Sequence, residues 1–181
     1  MSKLERLIGN FERELERGSR WREGLAPPER VWIAIYDPSD ERRIAARLIA
    51  FENAAKKAEC TWHQLDMRDW FADWMAKNEY KEAYFESPED LGVALGDFKQ
   101  FIKEKLKAAS SFASINKSFI ALYGIAALYP FVRTSEVMQW LAPLVAGRVL
   151  VWFPGEYENG NMRFLGARDG WTYQAVIIRG D

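Results

Sequence analysis

Three carboxylates, Asp37, Asp66 and Glu156, stand at the ends of short apolar runs, VWIAIY, TWHQL and RVLVWF. If those runs are parallel strands, their carboxyl ends form the rim where open α/β sheets take ligands. Carboxylate oxygens with retained waters are the donors Mg²⁺ prefers. The chemistry would be metal-assisted phosphotransfer or nuclease-like hydrolysis. A plainer reading competes, because an aspartate after a strand is a common turn or capping residue, and Asp37-Pro38-Ser39-Asp40 has that pattern. The other reactive types are scarce. His63, the one histidine, falls inside an expected strand between Trp62 and Gln64 and reads as a packed or surface imidazole, not as part of a Ser-His-Asp set. Cys60 lies three positions from His63, and strand neighbours share a face only two apart, so a Cys-His dyad is poor. The N and S donors are too few for zinc. Neither G-x-x-x-x-G-K-[ST] nor G-x-G-x-x-G follows the first strand, and its turn, DPSDERR, is acidic. No catalytic residue, metal or cofactor is assigned from these patterns. Arg133, before an expected helix, could meet an anion there, with a surface ion pair as the alternative.

The elements that must position these residues follow from periodicity. Leu4, Leu7, Ile8, Phe11 and Leu15 recur at helical spacing, so residues 1–18 form an amphipathic helix. Strands are expected at Val31–Tyr36, Thr61–Asp66, Phe119–Tyr123, Arg148–Phe153 and Thr172–Ile178. Between them lie one helix over residues 39–58, capped by Ser39 or Asp40, helical segments from Arg68 to Ser110, and a helix capped by Thr134. Strands that alternate with helices predict an α/β fold: a single domain with a mostly parallel, about five-stranded sheet flanked by helices, Rossmann-like or degenerate P-loop-like. The domain spans residues 1–181, with helix 1–18 free to stand at its periphery. The direction of the last strand is left open, since no clear helix connects it to the fourth.

That connection, from Pro154 to Trp171, is far longer than the usual four to six residues. Asn159-Gly160 and Asp169-Gly170 are turn signals within it. Tyr157, Met162, Phe164 and Leu165 give it enough apolar weight to fold back on the domain. With the strand ends it makes a candidate ligand- or partner-binding rim of Asp37, Asp66, Arg133, Glu156, Tyr157, Asn159, Arg163 and Arg168.

Composition narrows the function classes. The 181 residues are 49% hydrophobic and 28% charged, the mix of a globular protein. A net charge of −1 argues against a general grip on nucleic acid, which needs an excess of phosphate-neutralising cations. A lone cysteine supplies no disulfide framework and fits a reducing compartment. The N-terminus lacks the uninterrupted apolar core of a signal peptide, and no run approaches a membrane span. A cytoplasmic protein without membrane attachment is expected. Eight tryptophans and 14% aromatics imply a dense aromatic core or a partner-binding face.

Four stretches, VWIAIYDPSDERR, KEAYFESPEDL, FIALYGIAALYPFVRTSEV and RVLVWFPGEYENGNMRFLGARDGWTYQAV, resemble the BrxB family of BREX bacteriophage-defence systems. The segment PGEYENGNMRFLGARDGWTY is the most specific. It departs from the family pattern at Gly160, Met162 and Gly166, so no chemistry is carried to those positions. The resemblance implies membership of a defence island that also encodes a methyltransferase, an ATPase and a PglZ-like protein. It implies a non-enzymatic assembly or regulatory subunit, with the PglZ-like protein as first partner and other BREX subunits beside it. It carries over no catalytic residue and leaves a homo-oligomer open. A metal-dependent enzyme using Asp37, Asp66 and Glu156 stays open as an alternative, as does a degenerate nucleotide sensor.

Overall fold

The computed structural model describes residues 1–171 and 174–181, with the side chains of 167–171 outside that description. Its main sheet has five parallel strands: β1 (Val31–Tyr36), β2 (Thr61–Asp66), β3 (Ser118–Tyr123), β4 (Arg148–Pro154) and β8 (Val176–Ile178), the three strands numbered between β4 and β8 being described below. Their order is β2-β3-β4-β1-β8. The direction left open is thereby decided, because β8 pairs parallel with β1 through Trp32–Val176, Ile33–Ile177 and Ala34–Ile178. The expected start of that strand, Thr172, lies outside the described residues.

Every residue of β1, β3 and β4 is buried, as continuous apolar runs require when both sheet faces are covered. Alternation sends Trp32, Phe119, Ala121, Leu150 and Trp152 to one face and Ile33, Ile120, Leu122, Val149 and Val151 to the other. The first face is closed by α1 (Lys3–Glu16), α2 (Glu41–Ala45) and α3 (Leu48–Lys57). The second is closed by α4 (Trp70–Lys77), α6 (Leu91–Ser110) and α7 (Thr134–Leu141), while α5 (Lys81–Glu86) buries none of its residues.

Three local expectations need revision. The helix expected over 39–58 is two helices, because the chain tightens at Ala46 and Arg47, where Arg47 N–H bonds Ile44 O at 2.8 Å and Arg47 adopts φ −117°, ψ 2°. The break lets Ile44 and Phe51 both face the sheet. The cap before α7 is Arg133, whose N–H donates to Glu136 Oε2 at 2.9 Å, while Thr134 is the first helical residue. Helix α1 forms a wall of the first layer: Leu7, Phe11 and Leu15 are buried, and the Phe11 ring meets those of Trp32, Phe51, Trp62 and Phe119.

The long connection between β4 and β8 folds into a second, three-stranded antiparallel sheet: β5 (Glu156–Glu158), β6 (Asn161–Phe164) and β7 (Ala167–Trp171). Asn159 and Gly160 have φ of 50° and 79°, the pair of positive values a two-residue hairpin turn of matching twist needs. The second turn is Leu165-Gly166, at φ 50° and 76°, and not Asp169-Gly170, which lies within β7 with Gly170 opposite Met162. Met162 is fully buried in the second core layer, so this small sheet packs on the domain where a crossover helix would otherwise lie.

Candidate functional site at the carboxyl end of the sheet

The chain leaves β1 toward the first layer and leaves β4 toward the second. The strand order therefore reverses between β1 and β4, the point where doubly wound sheets open a ligand crevice. Here the ends of β1 and β4 stay paired one residue past the strands, and the small sheet packs against them. Gly155, which follows β4, donates its N–H to Tyr36 O at 2.9 Å. It has no room for a side chain: a Cβ would lie 2.2 Å from Arg163 O and 2.6 Å from Phe153 Cε1. Beside this packing a cleft of about 410 Å³ opens between α1, the end of β1 and the small sheet, lined by Lys3, Asp37, Asp40, Glu156, Tyr157 and Arg179. The Arg179 guanidinium lies 5.7 Å from the Tyr157 ring centre.

A polar chain spans the neighbouring strand ends. Glu41, the first residue of α2, accepts hydrogen bonds from both Tyr36, the last residue of β1, and Tyr123, the last of β3, the latter at 2.6 Å. Burial first, then the Glu41 carboxylate, push both phenols up from their ordinary value, Tyr123 to about 12. The Arg68 guanidinium sits 5.0 Å from the Tyr123 ring centre and bonds both oxygens of Asp66, at 2.9 and 2.6 Å. Those bonds hold the Asp66 carboxyl below the usual carboxylate range. Arg68 also packs over Gly124, whose φ of 76° turns the chain away after β3.

The residues expected to cooperate are distributed by this frame. Asp37 and Glu156 border the same cleft. Asp66 ends β2, and β3 and β4 intervene between β2 and β1. Three strand spacings put Asp66 roughly 14 Å from Asp37, too far for one ion held at about 2.0–2.6 Å. Among the described residues no group of three His, Cys, Asp or Glu side chains is placed to hold a metal. Asp37 accepts from Ser39 N–H at 2.8 Å and Ser39 Oγ at 2.7 Å, so its carboxyl is held low and it organises the turn into α2. Glu156 faces Arg163 across the hairpin, and Asn159 forms its exposed tip. Arg133 is exposed at the start of α7. The Arg168 side chain lies outside the described residues. His63 stacks on Phe112, with ring centres 3.9 Å apart, and Cys60 is buried, its thiol pushed up by burial.

Sequence reasoning passed over Glu41, Tyr36, Tyr123 and Arg68. A usable signal was there: two apolar strands both end in tyrosine, and a glutamate opens the helix after the first. A strand-final tyrosine at a rim needs a partner for its hydroxyl.

The family model described as BREX protein BrxB matches residues 58–178, more than half of the chain. The match runs from the end of α3 through β8. No curated protein and no solved structure matches.

Proposed function

The chain belongs to the BrxB family and is a component of a BREX defence system; on that premise we propose that it is a non-enzymatic assembly or regulatory subunit. It acts in the cytoplasm by binding other BREX proteins, the PglZ-like one first. The observation that carries this reading is the small sheet packed against the strand ends, where Gly155 lies too close beneath Arg163 for any side chain. The carboxylates around it are engaged in turn and ion-pair roles, Asp37 with Ser39 and Asp66 with Arg68. Among the described residues no helix is long and apolar enough to cross a membrane, which suits a subunit whose contacts are with other proteins. The partner surface we assign is the outward side of the small sheet, with Glu156, Arg163 and the tip residue Asn159, and it takes in the candidate rim positions Tyr157, Arg168, Asp37, Asp66 and Arg133.

Co-purification with the PglZ-like neighbour tests the reading. The wild-type chain is expected to retain that protein, and a paired reversal, Glu156→Lys with Arg163→Glu, to release it while the chain stays folded. Absence of any association between two folded proteins at mild salt would overturn the role itself. Undiminished retention by the paired variant would overturn only the assigned surface.

A further inference from the structure

We propose that a cleft at the opposite, amino end of the sheet is a binding site for a phosphate group. Arg30 ends the turn leading into β1, Arg148 opens β4, and Asn116 lies just before β3. With Val145 and Ala146 they border a cleft of about 430 Å³. Arg148 is 1% exposed. Its Nε and Nη2 donate to Arg20 O at 3.0 and 2.5 Å, its Nη1 to Gly147 O at 3.2 Å, and the guanidinium lies 5.0 Å from the Trp21 ring centre. Arg30 donates from Nε to Leu25 O at 3.0 Å and from Nη1 to Val145 O at 2.6 Å. Every one of these acceptors is a neutral carbonyl. Among the described residues neither guanidinium has a carboxylate partner.

Burying a cation without a counter-charge is costly, and neutral carbonyls offset only part of the lost hydration. A second, half-buried cation at the same cleft, Arg30, raises that cost further. Burial and the neighbouring Arg30 charge pull the Arg148 guanidinium down to about 10, in keeping with their closeness. At the mouth Arg22 is already paired with Glu29 at 2.6 Å, and among the described residues the exposed Glu23 is the only acid on the lining. The lining therefore carries two unmatched guanidiniums against one solvated carboxylate. A monoanion would neutralise one of them; a phosphate dianion matches both. Arg30 retains the N–H groups of Nη2 and one of Nη1 for the paired bonds a phosphate accepts from a guanidinium. The site needs no glycine-rich turn, because Arg30 supplies the free donors beside the buried Arg148 charge. It is independent of the assembly role proposed above.

Isothermal titration of the full chain at fixed ionic strength tests the site with inorganic phosphate, adenosine monophosphate and acetate. Saturable binding of one phosphate per chain is expected, with acetate much weaker. Tighter binding of the nucleotide would identify a phosphate ester as the natural ligand, and binding of phosphate alone the free ion. Arg30→Lys keeps the charge and removes the fork, so affinity should fall about tenfold, as for loss of one hydrogen bond to a charged group. Arg43→Ser, at an exposed and already paired position outside the cleft, should stay within about twofold. No saturable phosphate binding to the wild type, equal binding of acetate, or unchanged affinity in a cooperatively folded Arg30→Lys variant would each overturn the proposal.

Discussion

At the carboxyl end of the sheet, acids and donors meet within the molecule. Glu41 takes two phenols, Asp66 takes Arg68, Asp37 takes Ser39, and the Gly155 N–H bonds Tyr36 O. At the amino end, Arg30 and Arg148 are held by carbonyls alone. The two ends thus differ in what they leave unfinished. Where charges are matched internally, side chains contribute to stability and there is little left to attract a ligand. Where a buried cation and its half-buried neighbour have no acid partner, an external anion gains the most. The end at which α/β sheets ordinarily bind ligands is the completed one here.

The largest effect should come from breaking the packing at the carboxyl end. Met162→Ala removes a fully buried side chain beneath the small sheet and should lower unfolding free energy by about 2–5 kcal/mol in urea titration. Phosphate affinity of the folded chain should not change. A loss well under 1 kcal/mol would show that the small sheet only rests on the domain. Next, Glu41→Gln should lower stability by about 1–2 kcal/mol, since two phenols lose a charged acceptor. It should also flatten the alkaline limb of the stability curve. A Tyr123 phenol raised to about 12 in the folded chain keeps its proton while the unfolded one releases it near pH 10. The native state then binds more protons, so stability is full below about pH 10 and falls as pH rises toward 12. Weakening the bond to Glu41 narrows that window, which denaturation at stepped alkaline pH would show. The smallest stability change is expected at the other end. Arg148→Met removes a buried cation and should shift unfolding free energy by no more than about 1 kcal/mol, because relief of desolvation offsets the lost carbonyl contacts. Phosphate binding should be lost. A large destabilisation with binding retained would reverse the contrast between the two ends.

Much of this frame is legible locally. VWIAIY and FIALY are apolar at every position, which suits strands covered on both faces. Asn159-Gly160 makes the turn its composition demands, and Asp37-Pro38-Ser39-Asp40 makes the capping turn expected of it. The small sheet was hidden because its strands are only three to five residues long and mix polar with apolar groups. Asp169-Gly170 misleads for a related reason: pairing with β6 overrides the dipeptide's local preference and moves the turn to Leu165-Gly166. Arg148 read as the charged start of a strand. Its burial depends on Trp21 and the Arg20 carbonyl, groups far away in sequence.

The sequence by itself determined the strands, the alternation with helices, the amphipathic first helix and the family, because each is written in short-range pattern or in a contiguous motif. Only the tertiary structure decided which charges meet. The order β2-β3-β4-β1-β8 sets Asp37 and Asp66 three strands apart, and it brings Arg30 and Arg148 to one cleft at the adjacent ends of β1 and β4. Strand order follows from how whole layers bury their faces, so a residue's charge partner is fixed by packing that no local window contains.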